Sequence, residues 1–558
     1  MPTGADIFVD AAKRLGISHI FTLVGDHLNE VLTVAAAAGM TIIDMRHESG
    51  VTHAADAWAR ITRKPAISLV TGGPGHTNSL TGIATAFLAA SPVITVSGSP
   101  STLMKDRVVF QDIDQVSMTV PVVKWAAQPS NGAQIPFFLG RAYAEATAGR
   151  MGPVHLTIPV DLFAAEVGNP LAVPVPPPRT QHAPAAGDVE RALDLLRRAE
   201  RPVVIAGSGL WWADAGKELQ QFIKKTKLPC YTITMARGIL NDRSNLSYGY
   251  ADPALNKAVH QVFREADVCL VLGKRIDYRL ALGGPRLFSP AARFIQVDVH
   301  GAELGRTRQL ELGICADVKA TLRAMRDSIG TKVWAAKSWS QQARVANRRW
   351  QNELDRIARE GGSPLHPAAF FAELRKHLPK GTLLSWDGGD FVHWGRIMIP
   401  AEIPGGWLRL GPMGTIGSAL PNAIALKLAK PEAPVVMITG DGSLGFYIAE
   451  LDTAVRYKLP FVTIVGNDGG WGLERELQSE LNGEGATVAC ELRRTRYDVV
   501  MKGFGGAGET VDRVDQIGPA MKRAFESKLP YLVNVNIRGA RSPFTEWQIA
   551  GKAKPAAK

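Results

Sequence analysis

The feature that most constrains this chain is a rhythm. Short apolar runs rich in β-branched residues alternate with stretches of helical period, in three successive blocks of its 558 residues. Such alternation is the pattern of parallel sheets covered by helices. In the first block ISHIFTLVG, MTIIDMR, PAISLVTGG, SPVITVSG and GPVHLTIP read as strands, with THAADAWARITR and FFLGRAYAEAT as helices. PVVIAGSG, CYTITM, VCLVLG and FIQVDV follow in the second, and TLLSWDGG, GWLRLG, PVVMITGDG, FVTIVGN and YLVNVNI in the third. A single core does not grow to this length, so several domains are required. The expected fold is α/β, with three open, mostly parallel sheets.

The expected divisions are a domain over 1–165, a linker over 166–187, a central domain over 188–330, a helical linker over 331–362, a third domain over 363–538 and a tail over 539–558. Pro170, Pro174, Pro176, Pro177 and Pro178 crowd the first linker, where no ladder can form. Trp334, Trp339 and Trp350 are the anchors expected in the second. The first and third domains share a size and a strand-rich layout, a hint that two related domains flank another.

Composition narrows the class. Hydrophobic residues make 46% and charged residues 21%, as in soluble globular proteins. Cys230, Cys269, Cys315 and Cys490 are far apart with no CxxC pairing, which fits a reducing compartment and a cytoplasmic location. The net charge of +12 is compatible with plain solubility or with a polyanionic ligand. No basic-aromatic RNA motif or zinc-finger spacing accompanies it, so nucleic acid is not an expected partner. Residues 66–104 lack Lys, Arg, Asp and Glu, yet Gly72, Gly73, Pro74, Gly75, Pro92 and Gly98 interrupt them. They read as strand, turn, helix and strand, not as a membrane span. The opening residues MPTGADIFVDAAKRLG carry acids and no long apolar run, so neither a secretory signal nor membrane association is expected.

The chemistry concentrates in the third block. The apolar run 433–439 enters Gly440-Asp441-Gly442-Ser443, and the run ending at Val465 enters Asn467-Asp468-Gly469-Gly470. Both motifs stand at C-terminal strand ends, where open parallel sheets bind ligands. Asp441 offers a hard oxygen, and Asp468 a second one from a neighbouring strand end. A turn carbonyl near Gly470 can add another. Few protein oxygens, completed by phosphate and water, is how magnesium is usually held. Gly440 and Gly442 allow a phosphate close to the backbone.

GDGS followed at this distance by an Asn-Asp pair resembles the signature of thiamine-diphosphate-dependent enzymes, with Asp468 where a second Asn often stands. RHE, HAADAWAR and TGGPGHTN resemble the pyrimidine-binding domain of that superfamily. The resemblance covers nearly the whole chain, in the order pyrimidine-binding, central and diphosphate-binding domain. It implies that Glu48 is the carboxylate that hydrogen-bonds the cofactor's pyrimidine ring. Ile416 in GPMGTIGSALPNAIA falls on the apolar wedge beneath the bent cofactor, and Gly414 on the carbonyl that receives its amino group. Gly25, Pro74, Asp390, Phe391, Gly440, Gly442 and Ser443 fall on cofactor contacts, with Asp390 expected to act through its backbone amide. Asp441, Asp468 and Gly470 fall on the magnesium ligands. His27, His76 and Gln111 fall on positions facing the reacting carbon. Glu491, in an expected mobile loop over 483–494, is a further candidate for proton transfer, as are His27 and Gln111.

Within the superfamily, RVVFQDIDQVSMTVPVVKW resembles benzaldehyde lyase and acetolactate synthase. SWDGGDFV, IVGNDGGWGLEREL and ATVACELRRTRYDVVMKGFG resemble the acetolactate-synthase-like 2-hydroxyacyl-CoA lyases. The implied activity is reversible cleavage of a 2-hydroxyacyl-CoA to an aldehyde or ketone plus formyl-CoA. A 2-oxo acid carboligase of acetolactate synthase type and a benzaldehyde-lyase-type 2-hydroxyketone lyase are the alternatives. TMARGILND and Asp298 resemble places where relatives bind ADP or another adenine nucleotide. KRIDYR matches the flavin-site pattern only in part, which speaks against FAD. Arg541 and Trp547 make the tail a candidate lid over an acyl-CoA. The resemblance also implies a homodimer or homotetramer, with Glu48 and Asp441 meeting in one site from two chains.

Overall fold

The computed structural model describes residues 1–177, 181–360 and 362–552; Pro178 of the first linker and Lys554 and Lys558 of the tail lie outside them. Three sheets appear, and every strand pairing in them is parallel. The first contains β1 (His19–Thr22), β2 (Thr41–Asp44), β3 (Ala66–Val70), β4 (Val93–Ser99), β5 (Ala126–Ala127) and β6 (Val154–Pro159). The central sheet contains β7 (Pro202–Ala206), β8 (Cys230–Thr232), β9 (Val268–Leu272), β10 (Arg293–Asp298) and β11 (Leu312–Cys315). The third contains β12 (Leu383–Trp386), β13 (Trp407–Arg409), β14 (Val435–Gly440), β15 (Val462–Asn467), β16 (Ala507–Val511) and β17 (Tyr531–Asn536).

The first sheet runs β2-β1-β3-β4-β6-β5 and the third β13-β12-β14-β15-β17-β16. These are the same order, strand for strand, which gives physical form to the likeness of the two outer blocks. β3, β7 and β9 are buried at every position. Helices cover both faces of a parallel sheet, so its inner strands carry apolar residues on both sides.

The chain also binds its own domains together. Helix Glu48–Thr62 packs along helix Ala419–Ala429. From the former, Arg60 donates to the Arg409 carbonyl at 2.6 Å while paired with Asp56. Trp211 of the central domain donates its indole N–H to the Arg60 carbonyl at 2.7 Å. The expected charged helix is present as Ser338–Arg359, with Trp339 and Trp350 buried as anchors. In the tail, Pro543–Lys552 forms a helix. Among the described residues, no helix is long and apolar enough to cross a membrane.

Candidate functional site

Two groups of candidate residues gather at the C-terminal ends of the outer sheets. In the third domain, β14 and β15 are adjacent, so their exits bring Asp441 and Asp468 to one cleft. Asp441 is buried, and the Gly470 N–H donates to its Oδ2 at 3.1 Å. Burial pushes the Asp441 carboxyl up to about 7, and the nearby Asp468 carboxylate adds to the effect. Burial also raises Asp468, against the opposing charge of Arg475 3.5 Å away. Among the described residues no group of three or more His, Cys, Asp or Glu side chains gathers at a metal-like site. A cation here would therefore rest on two carboxylates, a main-chain carbonyl such as that of Gly470, and oxygens of its ligand. Such a donor set fits a hard divalent ion.

The cleft is shaped by missing side chains. A Cβ on Gly466 would lie 2.2 Å from the Phe391 ring, and one on Gly442 would lie 2.7 Å from Trp471. Gly440 has open space where a Cβ would stand, with nothing nearer than 4.0 Å. Ile416 and Ser443 line the same cleft, and Ile416 lies 3.0 Å from a Cβ built on Gly388. Gly414, at φ 76°, stands exposed on the approach to Ile416. Asp387, which sequence reasoning passed over, fastens the cleft: its Oδ1 accepts the N–H groups of Gly388 (2.9 Å) and Gly417 (2.8 Å), and its Oδ2 the Thr439 hydroxyl (3.0 Å). Asp390 opens helix Asp390–Met398. Its carboxylate turns away towards the tail, accepting from the hydroxyls of Ser542 and Thr545.

In the first domain, the Thr71-Gly72-Gly73-Pro74-Gly75 turn is the hub. Pro74 opens helix Pro74–Ala89, where its missing N–H costs no hydrogen bond. The Asn78 amide, one turn along, donates to Glu48 Oε2 at 3.0 Å. Gly25 lies so close to Thr71 that a Cβ would fall 2.5 Å from it. His27 is buried, and its Nδ1 accepts the Gly72 N–H at 3.2 Å with the Thr71 hydroxyl 3.0 Å away. That pattern leaves the proton of the neutral ring on Nε2, which makes His27 a donor to a ligand in this state. Burial holds its pKa below the ordinary value, against the pull of Asp26. Gly98 supplies the room, since a Cβ there would stand 2.4 Å from that of His27. Gln111 takes a left-handed φ of 63° against Gly73, and its Oε1 is buried with no hydrogen-bond partner. Gln115, another residue missed from sequence, accepts the Gly73 N–H at 3.1 Å and donates to the Gly98 carbonyl at 2.9 Å.

Two candidates stand differently from the rest. His76 is fully buried, with Nδ1 2.9 Å from Ser97 Oγ and Nε2 3.1 Å from Thr119 Oγ1. Both ring nitrogens are spent inside the domain, so the expectation that His76 faces the reacting carbon is corrected. Glu491 is 72% exposed and paired with Arg475 at 3.0 Å. Its segment lies along the Asp468-Gly469-Gly470 turn, where the Trp471 N–H donates to the Cys490 carbonyl at 2.8 Å.

The third-domain cleft takes no lining residue from the first domain, so Glu48, His27 and Gln111 are absent from it. A separate cavity opens at the strand ends of the central sheet, where Lys274, Arg275, Asp277 and Arg279 of KRIDYR meet Asp298 and Arg150. In the tail, Arg541 pairs with Glu476 at 2.8 Å, and Trp547 lies under the Arg286 guanidinium at 3.7 Å.

Comparison with known proteins accounts for this layout. Residues 2–118 match the family model "Thiamine pyrophosphate enzyme, N-terminal TPP binding domain", 189–325 the central domain of that family, and 387–535 its C-terminal TPP binding domain. Acetolactate synthase large subunit IlvG of Mycobacterium tuberculosis is 33% identical over 94% of this chain and 93% of its own. 2-Hydroxyacyl-CoA lyase 2 of Homo sapiens is 29% identical over 98% and 92%, and sulfoacetaldehyde acetyltransferase of Alcaligenes xylosoxydans is 28% identical over 94% and 91%. With three parallel-sheet domains in matching order, and a relative above 30% identity along nearly its whole length, this chain belongs to the thiamine pyrophosphate enzyme family.

Proposed function

We propose that the chain is a magnesium- and thiamine-diphosphate-dependent lyase that cleaves a 2-hydroxyacyl-CoA to an aldehyde or ketone and formyl-CoA, and runs the reverse condensation. The observation that carries the carbon–carbon chemistry is the gathering of Glu48, neutral His27 and the unpartnered Gln111 oxygen around one glycine-rich turn. When bound, thiamine diphosphate supplies a carbon nucleophile and a sink for the electron pair released as the bond breaks. Glu48, oriented by Asn78, hydrogen-bonds the pyrimidine ring. Asp441, Asp468 and the Gly470 carbonyl would hold the magnesium ion, which would supply positive charge for the diphosphate. His27 donates its Nε2–H to a substrate oxygen, and the Gln111 oxygen accepts the substrate hydroxyl.

Since the cleft of Asp441 lacks first-domain residues, the two half-sites meet when Glu48 of one chain faces Asp441 of another, in a homodimer or a tetramer built from such dimers. The acyl-CoA reading draws on the basic charge, on the tail beside the Glu476 helix, and on the relatives named for that activity. The central cavity, with Arg150, Lys274 and Arg275, suits an adenine nucleotide. A 2-oxo acid carboligase is the second reading, favoured by the higher identity of the acetolactate synthase.

An assay with magnesium and thiamine diphosphate, offering 2-hydroxyisobutyryl-CoA, benzoin and pyruvate in parallel, separates these readings. Formyl-CoA from the first compound alone is expected. Acetolactate from pyruvate would overturn the lyase in favour of the carboligase.

A further inference from the structure

The largest cavity described, about 1020 Å³, belongs to neither half-site. It lies between the central domain, helix Ser338–Arg359 and the C-terminal end of helix Asp390–Met398. Its lining is strongly cationic, and its own acids are already engaged. Asp242 pairs with Arg237 and accepts the Ser247 hydroxyl (2.9 Å) and the Ala401 N–H (2.9 Å). Asp355 pairs with Arg375 at 3.3 Å. Arg344, Arg348 and Arg396 also line the cavity, and among the described residues none of them pairs with a carboxylate.

Arg396 sits deepest, at 3% exposure. It donates to the Tyr250 hydroxyl at 2.5 Å, while its Nε has no acceptor. A buried guanidinium without a counter-charge is costly, because lost hydration is not replaced. Buried Arg409, which lines the neighbouring central-sheet cavity, also lacks a hydrogen-bonded Nε. Burial alone would raise the Tyr250 phenol, yet Arg396 and Arg409 together bring it below its ordinary value. Arg396 thus places on the wall of the cavity a positive charge that no carboxylate offsets.

Arg344 and Arg348 are one turn apart on the same helix, a like-charge spacing that weakens a helix unless an anion lies between. Such a row of arginines, with a further one at the base, matches several charges in line better than a single carboxylate. The aromatic faces nearby are already covered: Arg344 lies over Tyr248 at 4.0 Å and Lys257 over Trp350 at 5.4 Å. One face of each ring is thus already taken by a cation.

We infer that this cleft between the central domain, the connecting helix and the third domain is a binding site for a polyphosphate chain, read by Arg344, Arg348 and Arg396. The chain can be inorganic or the tail of a nucleoside triphosphate, and the base adds nothing. Helix Asp390–Met398 runs from Asp390 and Phe391 at the third-domain cleft to Arg396 here, so the two sites are under two helical turns apart along it, roughly 9 Å.

The test is calorimetric titration of tripolyphosphate, and separately ATP, into the chain saturated with thiamine diphosphate and magnesium and then freed of excess. For tripolyphosphate one site is expected, with affinity falling steeply with salt; ATP, which the central cavity also suits, should bind this cleft with an affinity equal within about threefold once Arg150 and Arg275 are replaced. Arg344→Gln combined with Arg348→Gln should weaken it about tenfold or more, as loss of charge-assisted hydrogen bonds implies. Arg150→Gln with Arg275→Gln, in the central cavity, should leave it unchanged. If the paired variant does not fold, Arg348→Gln alone, at an exposed helix position, carries the same comparison. The inference is overturned if neither ligand binds at millimolar concentration, if the arginine variants of the cleft bind tripolyphosphate as well as the parent, or if ATP binds the Arg150→Gln, Arg275→Gln variant far more tightly than tripolyphosphate does.

Discussion

Glu450, in the third domain, accepts the main-chain N–H of Arg46 at 3.0 Å, two residues ahead of Glu48 in the first domain. The His47 N–H turns to the same carboxylate, and the Thr453 hydroxyl donates to its other oxygen at 2.7 Å. Gly50 leaves the necessary space, since a Cβ there would stand 2.7 Å from Glu450 Oε1. The helix that begins at Glu48 is thus set against the third domain by a fully buried acid.

That acid has a pH signature. Burial raises the Glu450 carboxyl to about 7 from an ordinary 4.5, with its hydrogen bonds opposing. The folded state therefore holds a proton that the unfolded state releases, and stability falls as pH rises from 4.5 towards 7. Glu450→Gln removes that slope. The variant should gain on the parent by about 3 kcal/mol across this window, an order-of-magnitude figure from the shift. Urea unfolding at pH 4.5 and 7.5 measures it. A parent and variant that keep a constant difference would contradict the assignment.

Glu48→Gln should lower turnover by about a hundredfold or more, the usual scale for a proton-handling carboxylate. Asn78→Ala keeps the carboxylate but frees its rotamer, because the 3.0 Å bond to Oε2 is lost. Its cost should be smaller, about tenfold, and should fall on kcat more than on cofactor affinity. Steady-state kinetics with thiamine diphosphate as the varied ligand distinguishes the two. Full activity in Glu48→Gln would remove Glu48 from its role.

Gly466→Ala tests the shape of the cleft. The added Cβ would sit 2.2 Å from the buried Phe391 ring, which is held in turn by Phe370 and Phe371 at centroid distances of 5.7 and 4.7 Å. The ring cannot step back without displacing them, so a loss of about 1–3 kcal/mol in stability is expected. Gly440→Ala, where space is open, should leave stability nearly unchanged while weakening cofactor binding. Thermal unfolding of both variants without cofactor, followed by thiamine diphosphate titration, checks the pair. Equal stabilities would show that the Phe391 ring yields.

The legible and illegible parts divide along physical lines. β3, β7 and β9 were plain as apolar runs because both faces of each are covered. β5, β11 and β16 escaped notice, and each is an edge strand. β5 is two residues long, β11 alternates buried with exposed, and β16 is polar at Glu509 and Thr510. A strand paired on one side needs no continuous apolar run. In the site, Asp441 and Asp468 were legible because a strand, a helix and a strand fix their spacing. Asp387 and Glu450 were not, since each works by accepting N–H or hydroxyl groups brought from distant segments. His76 misled for the converse reason: a His in a glycine-rich turn looks available until Ser97 and Thr119 are seen beside it.

Asp390 provides the last test, of how the tail is held. One of its oxygens, Oδ1, accepts the hydroxyls of Ser542 and Thr545, the latter at 2.6 Å, while Oδ2 is buried without a partner. Burial raises this carboxyl to about 6, with those hydroxyls opposing. The half-satisfied acid thus costs stability as pH rises from its ordinary 3.8 towards 6, yet it anchors helix Pro543–Lys552. Asp390→Ala removes the anchor and should release the helix by local unfolding while the three sheets stay intact. Trypsin should then cut after Arg541 at least about tenfold faster, as loss of about 1.4 kcal/mol or more of local stability implies. Asp390→Asn keeps one acceptor oxygen and sheds the charge, so its cleavage rate should stay near the parent's and lose its pH dependence between 4 and 6. If Asp390→Ala is cut no faster than the parent, the tail is held instead by Trp547 under Arg286 and by Phe544 against His393, whose rings lie 3.9 Å apart.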